Sequence, residues 1–245
     1  MSKQQTKTEW LYGKHEVKAA VLNPRRKIVR LVLLPQCEDF LEELGEISVT
    51  PEIVDKNFFI SHFGAESIHQ GCAVLAEELP ELFLEDLIDE DERPFVFLDQ
   101  VTDPQNIGSI LRASAVFGAK AVVLPENNSP SFNATIAKTS SGAAEIVPLI
   151  KVKNLVQSMK MLKERGYWCL GLDERPDKSR YQVDLRGKFV LVIGSEGKGM
   201  RRLTRENCDF LVNLPSFGAF TTLNAAQAAT VALYELLRQK SSTSK

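Results

Sequence analysis

Histidine and cysteine are scarce in this 245-residue chain, which has three of the first and four of the second. The cysteines (Cys37, Cys72, Cys169, Cys208) are scattered. They form no C-x-x-C pair and have too few histidines nearby for a tetrahedral zinc site, so a metal-free protein from a reducing compartment is expected. No stretch approaches the roughly 18 uninterrupted apolar residues of a membrane span. The first ten residues, MSKQQTKTEW, lack the apolar core of a secretory signal, and the expected location is cytoplasmic. Compositional bias is also missing: with 44% hydrophobic and 25% charged residues the chain reads as an ordinary globular protein.

The formal net charge of −2 argues at first against a nucleic-acid partner. It hides a segregation along the chain. Residues 77 to 92, EELPELFLEDLIDEDE, hold nine of the 32 acidic groups and no basic one. Residues 93 to 245 carry 21 Lys+Arg against 13 Asp+Glu, and residues 1 to 36 carry eight against two. Both flanks can face phosphate, although solvated surface charge explains them equally well.

The acidic run, with Pro80 and Pro94 around the amphipathic LFLEDLI, marks a domain boundary near residue 90. This gives a small domain over 1–80, an acidic linker over 81–92 and a larger domain over 93–245. In the first part, strands are expected at IVRLVLL (28–34), ISV (47–49) and CAVLA (72–76), with helices at EDFLEEL (38–44) and PEIVDKNF. The second part alternates more regularly. FVFLD (95–99), AVVL (121–124), EIVPLI (145–150), YWCLGL (167–172), KFVLVIG (188–194) and FLVNL (210–214) read as strands. Helices are expected over 104–117, 133–140, 152–165 and 223–239, with Gly118 and Gly166 as C-terminal caps. Such alternation predicts an α/β fold with a mostly parallel sheet covered on both faces, whose ligands bind beyond the carboxyl ends of the strands.

Three of the loops at those ends are unusual. In DPQNIGSILR, Pro104 opens a helix that carries Asn106 and Arg112, and a fixed guanidinium near a helix start suits a phosphate or a developing oxyanion. In LVIGSEGKGMR, three glycines follow a buried strand, so backbone must approach a ligand closely or adopt positive φ. The spacing G-x-x-G-x-G matches neither the dinucleotide fingerprint nor a Walker loop, and Glu196 would repel pyrophosphate; a cationic or neutral ligand fits better. In LPSFGAFTTLNAAQAA, a strand ends at Pro215 and Thr222, Leu223 and Asn224 open an alanine-rich helix that permits close approach by another segment or subunit. Thr222 as a plain helix N-cap is the alternative.

Together these motifs resemble the SpoU family of RNA ribose methyltransferases. NIGSILR (106–112), GSEGKG (194–199), PSFG (215–218) and TLN (222–224) stand in the family's order, over about 95 to 239. A looser resemblance covers GKHEVKAAVLNP (13–24), RKIVRLVL (26–33) and IHQGCAV (68–74), which look like the family's small RNA-binding domain, itself similar to a ribosomal protein of the L30e type. The resemblance implies a Rossmann-like sheet with a deep trefoil knot at its C-terminal part, a homodimer, and S-adenosylmethionine as cofactor. It implies that Gly194, Leu214 and Leu223 hold the cofactor largely through backbone groups, together with Ser195, Gly199 and Thr139. The family's motif has Ser where this chain has Thr222, and Met where it has Ser216, which puts the packing of that loop in question more than the reaction.

The same resemblance implies transfer of a methyl group to a ribose 2′-hydroxyl, with a guanosine in large-subunit ribosomal RNA favoured over transfer RNA. Arg112 would bind the phosphate beside the target ribose and stabilise the developing alkoxide, since a guanidinium with a pKa above about 12 is a poor base. Asn106, Thr222 and Asn224 would fix the geometry, and Glu196 would organise the glycine turn. His15, His62 and His69 are expected in RNA contact or local hydrogen bonds, while Lys198, Arg201 and Arg202 contact RNA or solvent. Two rival readings are a non-catalytic RNA-binding assembly factor on the same fold, which cofactor binding would exclude, and a nicotinamide oxidoreductase, disfavoured by the missing fingerprint.

Overall fold

Short apolar runs that alternate with helices place both faces of a sheet under cover, and the computed structural model shows that arrangement in the second half of the chain. It describes residues 7–173, 183–219 and 222–241. Two units emerge: Met1–Glu81 with Ser141–Ile146, and Leu82–Ser140 with Val147–Lys245.

The first unit holds a four-stranded sheet in the order β1-β4-β2-β3, from β1 (Thr8–Tyr12), β2 (Ile28–Leu33), β3 (Glu52–Ile53) and β4 (Cys72–Glu77). Helices α1 (Lys14–Leu22) and α2 (Lys56–Phe63) and a 3-10 segment, Pro35–Glu43, complete it, and the four-residue α5 (Ala143–Ile146) also belongs here. The strand expected at 47–49 is absent: Ile47 and Val49 pack as partly buried side chains on the core, and pairing begins at Glu52. The second helix starts later than its apolar pattern suggests, because the Asp55 carboxylate accepts the Phe58 N–H (3.0 Å) and caps it. Residues 141–146 are held by charge. The Glu145 carboxylate pairs with Arg26, both almost fully buried, and accepts from Asn23 Nδ2 (2.8 Å). Burial of an ion pair is tolerated where its remaining lone pairs and protons are satisfied, as they are here.

The second unit is a six-stranded sheet, order β10-β8-β9-β5-β6-β7, with every pairing parallel. Its strands are β5 (Phe95–Asp99), β6 (Ala121–Pro125), β7 (Leu149–Val152), β8 (Trp168–Leu172), β9 (Phe189–Gly194) and β10 (Phe210–Val212). Its helices are α3 (Pro104–Val116), α4 (Ala134–Ser140), α6 (Leu155–Glu164), α7 (Arg202–Glu206) and α8 (Ala225–Ser241). Every residue of β5 and β6 is buried, as expected of central strands covered on both faces. Phe95, Phe97, Ala121, Val123, Val190 and Val192 build the core on one face with Leu155, Met159 and Leu162 of α6. The run EIVPLI extends only from Leu149, because Glu145 and Ile146 finish α5 and Pro148 has no N–H to donate. Gly118 (φ +71°) and Gly166 (φ +83°) close α3 and α6 in the left-handed region, as their positions predict.

The acidic segment, expected as a linker, is packed on the second unit. Leu84 is buried in its core, with Leu87 and Ile88 against it. Lysines from the amino ends of two strands and from the last helix hold its charges. Lys120, almost fully buried, pairs with Asp89; Lys188 Nζ reaches the Glu90 carboxylate (3.0 Å) and the Asp89 carbonyl (3.1 Å); Lys240 Nζ donates to the Glu92 carbonyl. Among the described residues, no helix is long and apolar enough to cross a membrane.

Candidate active site

The carboxyl ends of β5, β9 and β10 carry the three unusual loops. The glycine turn closes on itself at once after β9. Ser195 N–H donates to the Gly199 carbonyl (3.1 Å) and Gly199 N–H returns to the Ser195 carbonyl (2.8 Å). Gly197 (φ +75°) and Gly199 (φ +67°) take the left-handed conformation this reversal needs. Gly194 meets a different constraint: a Cβ there would lie 2.2 Å from Gly199 C and 2.3 Å from Met200 N. No side chain fits between the two limbs of the turn.

Glu196, at the apex, ties the three loops together. Its Oε1 accepts from Asn106 Nδ2 (3.0 Å), at the start of α3, and from the Ala225 N–H (3.3 Å), at the start of α8. The carboxylate sits against the amino ends of two helices, where unpaired N–H groups favour negative charge. Asn106 itself is placed by the first turn of α3, which Pro104 opens and Asp103 caps by accepting the Gln105 N–H (3.0 Å). Asn224 is the N-cap of α8: its Oδ1 accepts the Gln227 N–H (2.8 Å), and Gln227 Oε1 accepts the Asn224 N–H (3.3 Å). This is a reciprocal capping box, so the cap is Asn224 and not Thr222.

A cavity of about 550 Å³ opens beside the turn, lined by Leu172 and Asp173 at the end of β8, 193–199 around the turn, 212–216 from the end of β10 onward, and Thr222, Leu223, Ala225 and Ala228. Of the residues the sequence singles out, Gly194, Ser195, Glu196, Lys198, Gly199, Leu214, Thr222 and Leu223 line it. Asn106 and Asn224 touch its rim through Glu196 and Ala225. Arg112 lies two turns along α3 from that rim, exposed, and forms no hydrogen bond or ion pair with the described residues. Thr139 sits elsewhere. It faces Gly108, where a Cβ would lie 2.6 Å from Thr139 Cβ, and it is not among the cavity residues. The glycine of NIGSILR thus serves the close packing of α3 on α4, and Thr139 is the side chain that packs there.

Sequence reasoning missed two carboxylates. Asp99, fully buried at the end of β5, accepts from the Arg201 N–H (2.8 Å) and from Arg201 Nε (2.7 Å). Asp173, at the end of β8, lines the cavity and accepts from Arg205 Nε (2.5 Å). A signal was available: each is the charged residue that terminates an apolar strand, FVFL-D and WCLGL-D, where the alternation predicts ligand chemistry. The nearby thiols are not nucleophiles, since burial pushes both Cys169 and Cys208 up to about 12. His62 and His69 make local bonds, His62 Nδ1 with the Phe58 carbonyl (2.8 Å) and His69 Nδ1 with the Gly71 N–H (3.0 Å).

The cavity has the size of a nucleoside-scale ligand site, for which about 300–1,000 Å³ is usual. Its lining combines apolar side chains (Ile193, Leu214, Leu223), many backbone groups at strand ends, Lys198, and two carboxylates that already have partners, Asp173 on Arg205 and Glu196 on Asn106 and the Ala225 N–H. That donor set fits S-adenosylmethionine, a nucleoside bearing a sulfonium.

Comparison with known proteins gives a consistent picture. The profile described as the SpoU rRNA Methylase family matches residues 93–234. The 23S rRNA (guanosine-2'-O-)-methyltransferase RlmB of Pseudomonas aeruginosa is 41% identical over 243 residues, covering 95% of this chain and 97% of its own. Its counterpart in Escherichia coli K12 is 36% identical, covering 96% of this chain and all of its own. In fold, the SpoU methyltransferase AviRb from Streptomyces viridochromogenes aligns with a TM-score of 0.80 at 23% identity, over 96% of this chain and 90% of its own. A second structure of AviRb, in complex with the cofactor AdoMet, aligns with a TM-score of 0.79.

Proposed function

The chain belongs to the SpoU rRNA Methylase family, and we propose that it transfers a methyl group from S-adenosylmethionine to the ribose 2′-hydroxyl of a guanosine in 23S ribosomal RNA. The observation that carries this reading is the Glu196 carboxylate joining the starts of α3 and α8 over a nucleoside-sized cavity. S-adenosylmethionine, when bound, supplies the methyl group on a good leaving group. The protein's task is then alignment and electrostatics. Gly194, Ser195, Gly199, Leu214 and Leu223 hold the cofactor, mainly through backbone groups at the ends of β9 and β10. Arg112, exposed and without a partner among the described residues, holds the phosphate beside the target ribose and stabilises the oxygen as it becomes negative. Asn106, Glu196 and Asn224 keep the two helix starts in register, and Thr222 faces the cavity to orient the sugar.

The rest of the reading concerns assembly. The first unit binds the RNA substrate. The C-terminal part of the second unit's sheet threads through a deep trefoil knot, a rare topology. Val231, Tyr234 and Leu237 of α8, all more than 40% exposed, supply an apolar face for a second copy in a homodimer. The protein works in the cytoplasm without a metal.

The test is methylation of unmodified 23S rRNA transcript by the purified chain with methyl-labelled cofactor, followed by mapping of 2′-O-methyl sites. A single labelled guanosine is expected, and Arg112→Ala should lower turnover by roughly 100-fold or more, as loss of a transition-state donor does. Arg112→Lys should also be poor, because an ammonium cannot reproduce the planar fork. A chain that neither binds the cofactor nor transfers to any RNA would be a non-catalytic RNA-binding factor instead.

A further inference from the structure

The structure assigns to Asp99 a role in cofactor binding that none of the three motifs carries: it is a positioning residue that fixes the outgoing limb of the glycine turn through Arg201. The assignment rests on the reading of the cavity as the cofactor site. In the sheet, β9 lies between β5 and β8. The turn leaves β9 at Gly194, whose β5 neighbour in register is Asp99. The chain returns at Met200 and enters α7, and there Arg201 and Arg205 stand one helical turn apart, linked by Arg205 N–H to the Arg201 carbonyl (2.9 Å).

Each arginine reaches a carboxylate at the end of a flanking strand. Arg201 binds Asp99 on β5, and Arg205 binds Asp173 just after β8. The start of α7 thus forms a strap across the end of β9, anchored on both sides. Asp99 is the firmer anchor, because it is fully buried and takes both the backbone N–H and the Nε of one residue. A buried carboxylate is costly unless its oxygens are satisfied, so its two bonds hold Arg201 at one position. The consequence reaches the cavity: with Arg201 fixed and no room for a side chain at Gly194, residues 195–199 have one place relative to Leu214 and Leu223. The Asp99 side chain is not part of the cavity lining. It acts on the cofactor only by removing freedom from the backbone that binds it.

The experiment uses the full chain and measures S-adenosylmethionine binding by calorimetry, with KM for cofactor, KM for 23S rRNA transcript and kcat in parallel. Asp99→Asn keeps the shape and removes the charge. Arg201→Ala truncates a half-exposed side chain and leaves the backbone bond to Asp99, and a urea midpoint read on both variants separates loss of stability from loss of binding. Both should raise the Kd and KM for cofactor about tenfold, the usual effect of losing a charge-assisted bond, with kcat at saturating cofactor within about twofold. The double variant should be no worse than the poorer single one, since both remove the same link. An Arg201→Ala protein that binds cofactor like the wild type, or one whose KM for RNA rises while cofactor binding stays, overturns the assignment. Wild-type protein that fails to bind the cofactor overturns the cavity reading instead.

Discussion

The two ends of the same parallel sheet are built on opposite plans. At the amino ends of its strands, the acidic segment covers the sheet, Leu84 is buried beneath it, and Asp89, Glu90 and the Glu92 carbonyl are taken up by Lys120, Lys188 and Lys240. At the carboxyl ends, carboxylates and backbone groups face a cavity, Leu223 is 46% exposed and Phe217 fully so. A run of charge in sequence is therefore no guide by itself to where chemistry occurs. In the densest acidic stretch Asp89 and Glu90 pair with lysines, while two carboxylates isolated in sequence, Asp173 and Glu196, line the cavity. The difference lies in cover: the acidic segment packs on the sheet with Leu84 buried in the core, whereas the carboxyl ends open on a cavity.

The largest effect that would sharpen this contrast is at Gly194. Gly194→Ala places a methyl group within 2.2 Å of backbone that must then shift, and should weaken cofactor binding by more than about 100-fold, read by calorimetry, with a lower thermal midpoint as well. Leu84→Ala should touch stability alone. It should lose about 2–4 kcal/mol of stability in a urea titration and leave cofactor affinity intact, as a core truncation far from a site does. If Leu84→Ala weakened cofactor binding in the folded protein, the two ends would not be independent.

The thiols give a smaller test. Burial raises Cys72, Cys169 and Cys208 from 9.0 to about 12, so in native protein at pH 8 they should resist alkylation that all four cysteines undergo in denaturant. Between about pH 9 and 12 the native state retains protons that the unfolded chain releases, so stability should fall as pH rises through that window, read as a declining urea midpoint. The smallest effect belongs to α8, where Arg238 holds the Glu235 carboxylate down at about 2. Its contribution is present above the usual glutamate range and is lost as pH falls from about 4.5 towards 2. Because the pair is largely exposed, Glu235→Gln should cost only a few tenths of a kcal/mol near neutral pH.

Much of the second unit was legible in advance. FVFLD marks β5 to the residue, and Pro104, Gly118 and Gly166 bound their helices where the chemistry of those residues requires. The first unit was harder. β1 and α1 have weak periodicity, and Ile47 and Val49 are apolar because they pack on the core without joining the sheet. Glu145 and Ile146 read as the beginning of a strand, but Glu145 is directed to Arg26, 119 residues away in the chain. In the candidate site, the glycine spacing and the Asn106 and Asn224 positions were readable as motifs. The Asp99–Arg201 link joins residues 102 apart and leaves no local pattern.

What the sequence alone determined is the material of the site: a turn with glycines at three positions, an arginine about two turns into a proline-opened helix, and a strand alternation that places both at one edge. Those are local properties, set by backbone sterics and periodicity over a few residues. Only the tertiary structure decided which groups meet. Glu196 bridges two helix starts, Asp99 anchors the strap, and Thr139 packs against Gly108 and stays out of the cavity. Pairings of that kind depend on strand order, because a parallel sheet brings together the ends of segments far apart in the chain, and no window of sequence contains both partners.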